Sequence, residues 1–271
     1  MKVAALQMVS GTQPHDNLDA ARALLEQAAD DGVELAVLPE YFSGMGATEF
    51  DKLARSEPFG DGEVQRFLRS AARDLGLWIV GGTLPLQSPE AGRVHNTTLV
   101  VDPQGECLAR YDKIHLFHFD NGRERYEEAR TVQAGNAPVQ FDLPSRDGHR
   151  WRVGLSVCYD LRFPELYRAH ARAGADLMLV PSAFTHTTGQ AHWEVLLRSR
   201  AIENLAYVLA PAQGGHHENG RHTWGHSMLV DPWGAVLAQH AQGPSVVAGT
   251  VAIASLRAMR QQLPALAHQV L

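Results

Sequence analysis

The chain has 271 residues, of which 45% are hydrophobic and 20% charged, enough to bury one large core or two smaller ones. The formal net charge is −6 and no basic stripe interrupts the sequence, so nucleic acid is not an expected partner. No stretch approaches the roughly 18 apolar residues of a membrane span, and two cysteines without an export signal predict reduced thiols in the cytoplasm.

Residues 1–9 are a short apolar run that predicts a first strand. Residues 32–39 (GVELAVLP) predict a helix end at Gly32, where glycine forms a left-handed cap. A buried strand follows and stops at Pro39, which has no N–H for a ladder. Val64, Phe67, Leu68, Ala71 and Leu75 recur at helical spacing. A strand over 78–84 and a hairpin come next. The hairpin turn Asp102-Pro103-Gln104-Gly105 has proline at the second position and a glycine able to take positive φ.

The second half repeats this order. Residues 174–181 (GADLMLVP) match 32–39, Leu-Leu-Arg-Ser at 196–199 matches Phe-Leu-Arg-Ser at 67–70, and VDPWGAVLA at 230–238 matches VDPQGECLA at 101–109. The last two pairs share one offset, 129 positions. A duplicated helix–strand–hairpin unit predicts two α-β layers packed sheet on sheet, an αββα sandwich forming one domain over residues 1–271. The halves differ where their strands end: Glu40 follows Pro39, but Ser182 follows Pro181.

Three segments carry chemistry. In WRVGLSVCYDLRFPELY, residues 151–167, an apolar strand runs into Cys158, then a polar turn, then Pro164 as a first helical residue. Such a thiol is either a buried inert cysteine or a nucleophile whose thiolate the next helix N-terminus favours. Glu40 at its strand end is either an exposed carboxylate or a half-buried general base. Lys113, ending the second hairpin strand, is either a solvated edge lysine or an oxyanion donor that also favours a thiolate.

Together, LPEYF, YDKIHLF and CYDLRFPEL resemble, in order and spacing, the nitrilase superfamily of carbon–nitrogen hydrolases, over nearly the whole chain. The resemblance implies the αββα fold, a homodimer, and neither cofactor nor metal. It implies Glu40 as general base, Cys158 as the nucleophile that forms a thioester, and Lys113 with the Tyr159 N–H as oxyanion hole. It also implies a second glutamate, Glu128, seven residues before Gly135, that orients Lys113 or binds the leaving amine; Glu127 beside it carries the same group.

The blocks AHWEVLLRSRAIEN, QGGHHE and GHSMLVDPWG look like the branch of amidases that act on deaminated glutathione, releasing 2-oxoglutarate and cysteinylglycine, with the ω-amidases of 2-oxoglutaramate as sister group. A small-molecule amide of a 2-oxo diacid needs a cation for its carboxylate. Arg162 and Arg200 are the expected cations, with Tyr41 or Phe184 as wall; Arg162 has an alternative use in an ion pair with Glu165.

Other classes make their own demands. His216, His217, His222 and His226 invite a metal, but the i, i+4 pair His222/His226 converges only on a helix, and the surrounding glycines predict a loop running into a strand. A papain-like Cys–His pair needs a histidine beside Cys158. A scaffold or metabolite-binding protein needs none of the three catalytic positions, all of which are intact.

Overall fold

The computed structural model of the chain describes residues 1–270; the last residue of the expected domain, Leu271, lies outside them. A seven-stranded sheet runs in the order Ser245–Thr250, Lys2–Gln7, Leu35–Val37, Trp78–Val80, Val94–Val101, Leu84–Gln87, with Cys107–Asp112 also paired to Val94–Val101. A six-stranded sheet runs Val236–His240, Ser227–Val230, Tyr207–Ala210, Leu177–Leu179, Arg150–Leu155, Gln140–Pro144. The three central strands are parallel in each sheet, as are Lys2–Gln7, Leu35–Val37 and Trp78–Val80 in the first.

Side-chain alternation builds the layers. Val3, Ala5, Leu35, Val37, Trp78 and Val80 join one core with Val153, Leu155, Leu177 and Leu179 of the other sheet. The residues between them, Ala4, Leu6, Ala36, Leu38 and Ile79, pack with Leu25 and Ala28 of the helix Pro14–Asp30 and Leu68 and Ala71 of the helix Glu63–Leu75. Helices Pro164–Arg172 and His186–Asn204 cover the second sheet through Tyr167, Trp193, Leu197 and Ala201. The result is the four-layer αββα sandwich expected from the repeat.

The duplication extends to packing. Gly105 has φ 81° and sits against Arg69 and Arg73; Gly234 has φ 86° and sits against Arg198 and Ile202. Those partners are again 129 positions apart. Asp102 and Asp231 each accept two backbone N–H groups of their own turn, fixing the two hairpins alike.

The strand expected over 78–84 stops at Val80. Gly82 turns at φ 45°, and a Cβ there would stand 2.0 Å from the Pro39 carbonyl oxygen, so the chain leaves the ladder where the two strand ends touch. The matching strand of the second half likewise ends at Ala210, before Pro211.

Candidate active site

The functional side chains gather at the ends of these strands. Glu40 follows Leu35–Val37, Lys113 follows Cys107–Asp112, and Cys158 opens the 3-10 turn Cys158–Arg162 beyond Arg150–Leu155. Two corner residues take a left-handed backbone without being glycine: Tyr41 (φ 58°) and Cys158 (φ 48°). Such a conformation costs about 1–3 kcal/mol each. Hydrogen bonds hold it: Cys158 N–H donates to Pro181 O (3.0 Å), and Tyr41 N–H to Thr83 Oγ1 (2.9 Å).

Lys113 Nζ donates to Glu40 Oε1 at 2.9 Å and to Glu128 Oε2 at 2.8 Å, with all three side chains buried. Glu40 Oε2 accepts the Ala183 N–H (3.0 Å). Glu128 also accepts the Phe117 N–H (2.8 Å) and the Tyr41 hydroxyl (2.9 Å). Asn96 Nδ2 lies within 3.0 Å of Glu40 Oε1 and 3.1 Å of Glu128 Oε1. The buried Cys158 thiol lies in the field of Glu40 and Lys113 and lines the same cavity as they do. All of this faces one cavity of about 540 Å³.

Electrostatics follow from burial. Burial of Lys113 disfavours its charge, but Glu128 and Glu40 outweigh this and hold its ammonium well above the ordinary value. Burial would raise the Glu128 carboxyl, yet Lys113, Lys52 and the Phe117 N–H hold it below the ordinary range. Burial and then the Glu40 charge push the Cys158 thiol well up, against the opposing pull of Lys113. Both influences favour the neutral thiol over the thiolate. The helix N-terminus expected to favour a thiolate is set apart from Cys158, because the 3-10 turn Cys158–Arg162 comes between it and the helix Pro164–Arg172.

Most sequence-picked residues converge. Tyr159 lines the cavity, edge-on to Phe117 at 5.2 Å, and among the described residues its N–H meets no acceptor, whereas that of Cys158 is used. Phe184 is a buried wall packed on Trp193. Arg162 lines the cavity over the Tyr159 and Phe184 rings, at 5.7 and 5.5 Å, and among the described residues forms no ion pair with Glu165. The glutamate bonded to Lys113 is Glu128; Glu127 also lines the cavity but is half-buried beside Arg125.

Arg200 is a correction. Its guanidinium is buried away from the cavity, donating twice to Leu161 O (3.0 and 2.8 Å) and once to Glu203 (2.9 Å). It braces the turn behind Cys158 and cannot meet a substrate. The histidines also form no metal centre: His216 and His222 face each other across a hairpin as stacked rings, 3.8 Å apart, and among the described residues no three His, Cys, Asp or Glu side chains converge to hold an ion. Both cysteines are free, and no described helix is long and apolar enough to cross a membrane.

The sequence reading missed Asn96, Asp160 and three cavity cations, Lys52, Arg55 and Arg221. Asp160 had one signal, its position two residues after the thiol; the others had none, since each is an ordinary polar residue whose partners are distant in sequence.

A fold of this kind, with a buried Glu–Lys–Cys group at its strand ends, defines a class of hydrolase. The carbon–nitrogen hydrolase family model matches residues 2–261, and the chain belongs to that family. It is 42% identical over 270 residues to a deaminated glutathione amidase of Synechocystis, covering 98% of this chain and 97% of that one. It is 37% identical over 265 residues to the human omega-amidase NIT2, covering 97% and 92%. The crystal structure of the C. elegans NitFhit protein superposes with a TM-score of 0.89 at 37% identity, over 99% of this chain and 65% of that longer one.

Proposed function

We propose that the protein is an amidase that cleaves a linear amide of a 2-oxo dicarboxylic acid through a thioester on Cys158. The observation that carries this is that buried Glu40, bonded to Lys113 at 2.9 Å, shares one cavity with the Cys158 thiol. Glu40 takes the thiol proton as Sγ attacks the amide carbonyl, which matches a thiol that stays neutral at rest. The oxyanion is held by Lys113 Nζ and the Tyr159 N–H. Glu40 then passes its proton to the departing amine. A water attacks the thioester, giving its proton to Glu40; the C–S bond breaks, the acid leaves and the thiol is restored. Glu128 and Asn96 hold Lys113 and Glu40 in position.

The substrate most in keeping with the relatives is deaminated glutathione, with 2-oxoglutaramate second. Arg162, free of carboxylate partners and flanked by Phe184 and Tyr159, suits the 2-oxo acid carboxylate of either one. We further propose one domain over 1–271, a cytoplasmic setting, which suits two free cysteines, and a homodimer, for which exposed Val195, Ile202, Trp233 and Leu237 offer apolar surface.

The test is intact mass spectrometry of enzyme mixed with each amide. An adduct of the 2-oxoglutaryl group, lost in Cys158→Ala and formed far more slowly in Glu40→Gln, supports the reading. Turnover by Glu40→Gln at the wild-type rate, or an adduct that survives Cys158→Ala, overturns it.

A further inference from the structure

We infer that Lys52, Arg55 and Arg221 form a second carboxylate-binding wall of the cavity, which takes an acid group carried by the amine half of the substrate. The inference deepens the amidase reading and rests on it.

Five cationic side chains besides Lys113 and Arg162 line the cavity. Two are already neutralised: Arg130 pairs with Glu49 at 2.7 Å, and Arg125 lies beside Glu127 and Asp120. The other three have no ion-pair partner among the described residues. Arg55 Nη1 and Arg221 Nε are buried and make no hydrogen bond. Buried donors of this kind are ordinarily satisfied, so two in one wall need an explanation.

The fold brings them together. Asn219 Nδ2 donates to Met45 O (3.0 Å) and Gly46 O (2.6 Å), tying the loop that carries Arg221 to the 44–46 loop. Arg55 reaches that loop from the other side: a side chain at Gly44 would stand 3.0 Å from Arg55 Nη1. Lys52 Nζ lies 5.7 Å from the Tyr41 ring centre, and Tyr41 is bonded to Glu128. Burial, with Lys113 and Arg221 nearby, lowers the proton affinity of Lys52 although Glu128 opposes this. A carboxylate bound in the cavity would relieve that repulsion and pair with the cavity-facing ends of the three side chains.

Arg162, over Tyr159 and Phe184, belongs to a different wall. An amide with one carboxylate needs one cation site. Two separate sites around one nucleophile fit an amide with acid groups on both halves, so that the released amine is itself an amino acid or short peptide acid.

The test compares two substrates that differ only at that acid: deaminated glutathione and its C-terminal glycinamide. The wild-type kcat/KM should favour the free acid by roughly 10- to 100-fold, the worth of a hydrogen-bonded charge. In the Lys52→Met/Arg221→Met variant the two substrates should fall within about threefold of each other, because the discriminating contacts are gone. A wild-type ratio near one overturns the inference while leaving the amidase reading intact, and this comparison decides even if the variant does not fold. A preference that persists undiminished in the folded variant also overturns it. Failure to cleave either compound overturns the inference, and the amidase reading falls with it only if 2-oxoglutaramate is not cleaved either.

Discussion

The Asp160 carboxylate accepts the Tyr111 hydroxyl at 2.7 Å, and through that bond the turn that carries Cys158 is tied to the strand that delivers Lys113. Asp160 is fully buried and has no spare capacity: it also accepts the Val157 N–H, and its other oxygen takes the N–H and ring nitrogen of His115. Tyr111 and His115 bracket Lys113 in sequence, so one side chain sets the position of the lysine relative to the thiol. The turn beyond Arg150–Leu155 of the second sheet thereby holds the strand end of the first that carries Lys113.

Tyr111→Phe removes one donor from a buried carboxylate. Bonds to charged groups contribute about 1.5–3 kcal/mol, so the urea midpoint should fall by a corresponding amount, with kcat reduced as Lys113 loses its tether. An unchanged midpoint in equilibrium denaturation would mean that the bond contributes nothing.

Lys113→Met should lower kcat by on the order of 10²–10³ through the lost oxyanion donor. It should also change acid stability. Glu128 is held below its ordinary value in the folded protein, so its contribution is present above that value and is lost as pH falls toward the lower folded one. Without Lys113 the largest lowering influence is gone, only Lys52 and the Phe117 N–H remain, and Glu40 and Glu128 repel, so the acid-unfolding midpoint should move to higher pH. The two proteins unfolding at the same acid pH would contradict the assignment.

The Cys158 thiol, raised by burial and by Glu40, should absorb no light as a thiolate at pH 7 and should ionise only above the ordinary thiol range. In Glu40→Gln one raising influence is gone and Lys113 remains, so ionisation should shift to lower pH. Ultraviolet titration against Cys158→Ala measures both; a fully formed thiolate at neutral pH in the wild-type enzyme would refute the neutral resting state.

Two arginines separate binding from bracing. Arg162→Met should raise KM for 2-oxo acid amides by roughly 10-fold or more, as expected for a lost charged contact, with little change in melting temperature. Arg200→Met leaves Leu161 O without its two donors and should lower the melting temperature, with KM nearly constant. Thermal denaturation beside steady-state kinetics distinguishes them, and the reverse pattern would exchange their roles.

The sequence by itself determined the architecture and the three central residues. Strand alternation, helical spacing and the Asp-Pro-X-Gly turns are local, so the duplicated unit and its αββα packing were legible before any contact was known. Glu40, Lys113 and Cys158 each kept two readings when taken singly, and became legible as a set through the family resemblance of LPEYF, YDKIHLF and CYDLRFPEL. Only the tertiary structure decided what surrounds them. Asn96 meets Glu40 across 56 positions and Lys113 meets it across 73. Glu128 rather than Glu127 met Lys113, Arg200 was spent on a carbonyl, and three cations were left facing the cavity. The state of the thiol was decided there too, because a pKa follows burial and neighbouring charge. Those are set by which distant segments fold together, and no short stretch of sequence records them.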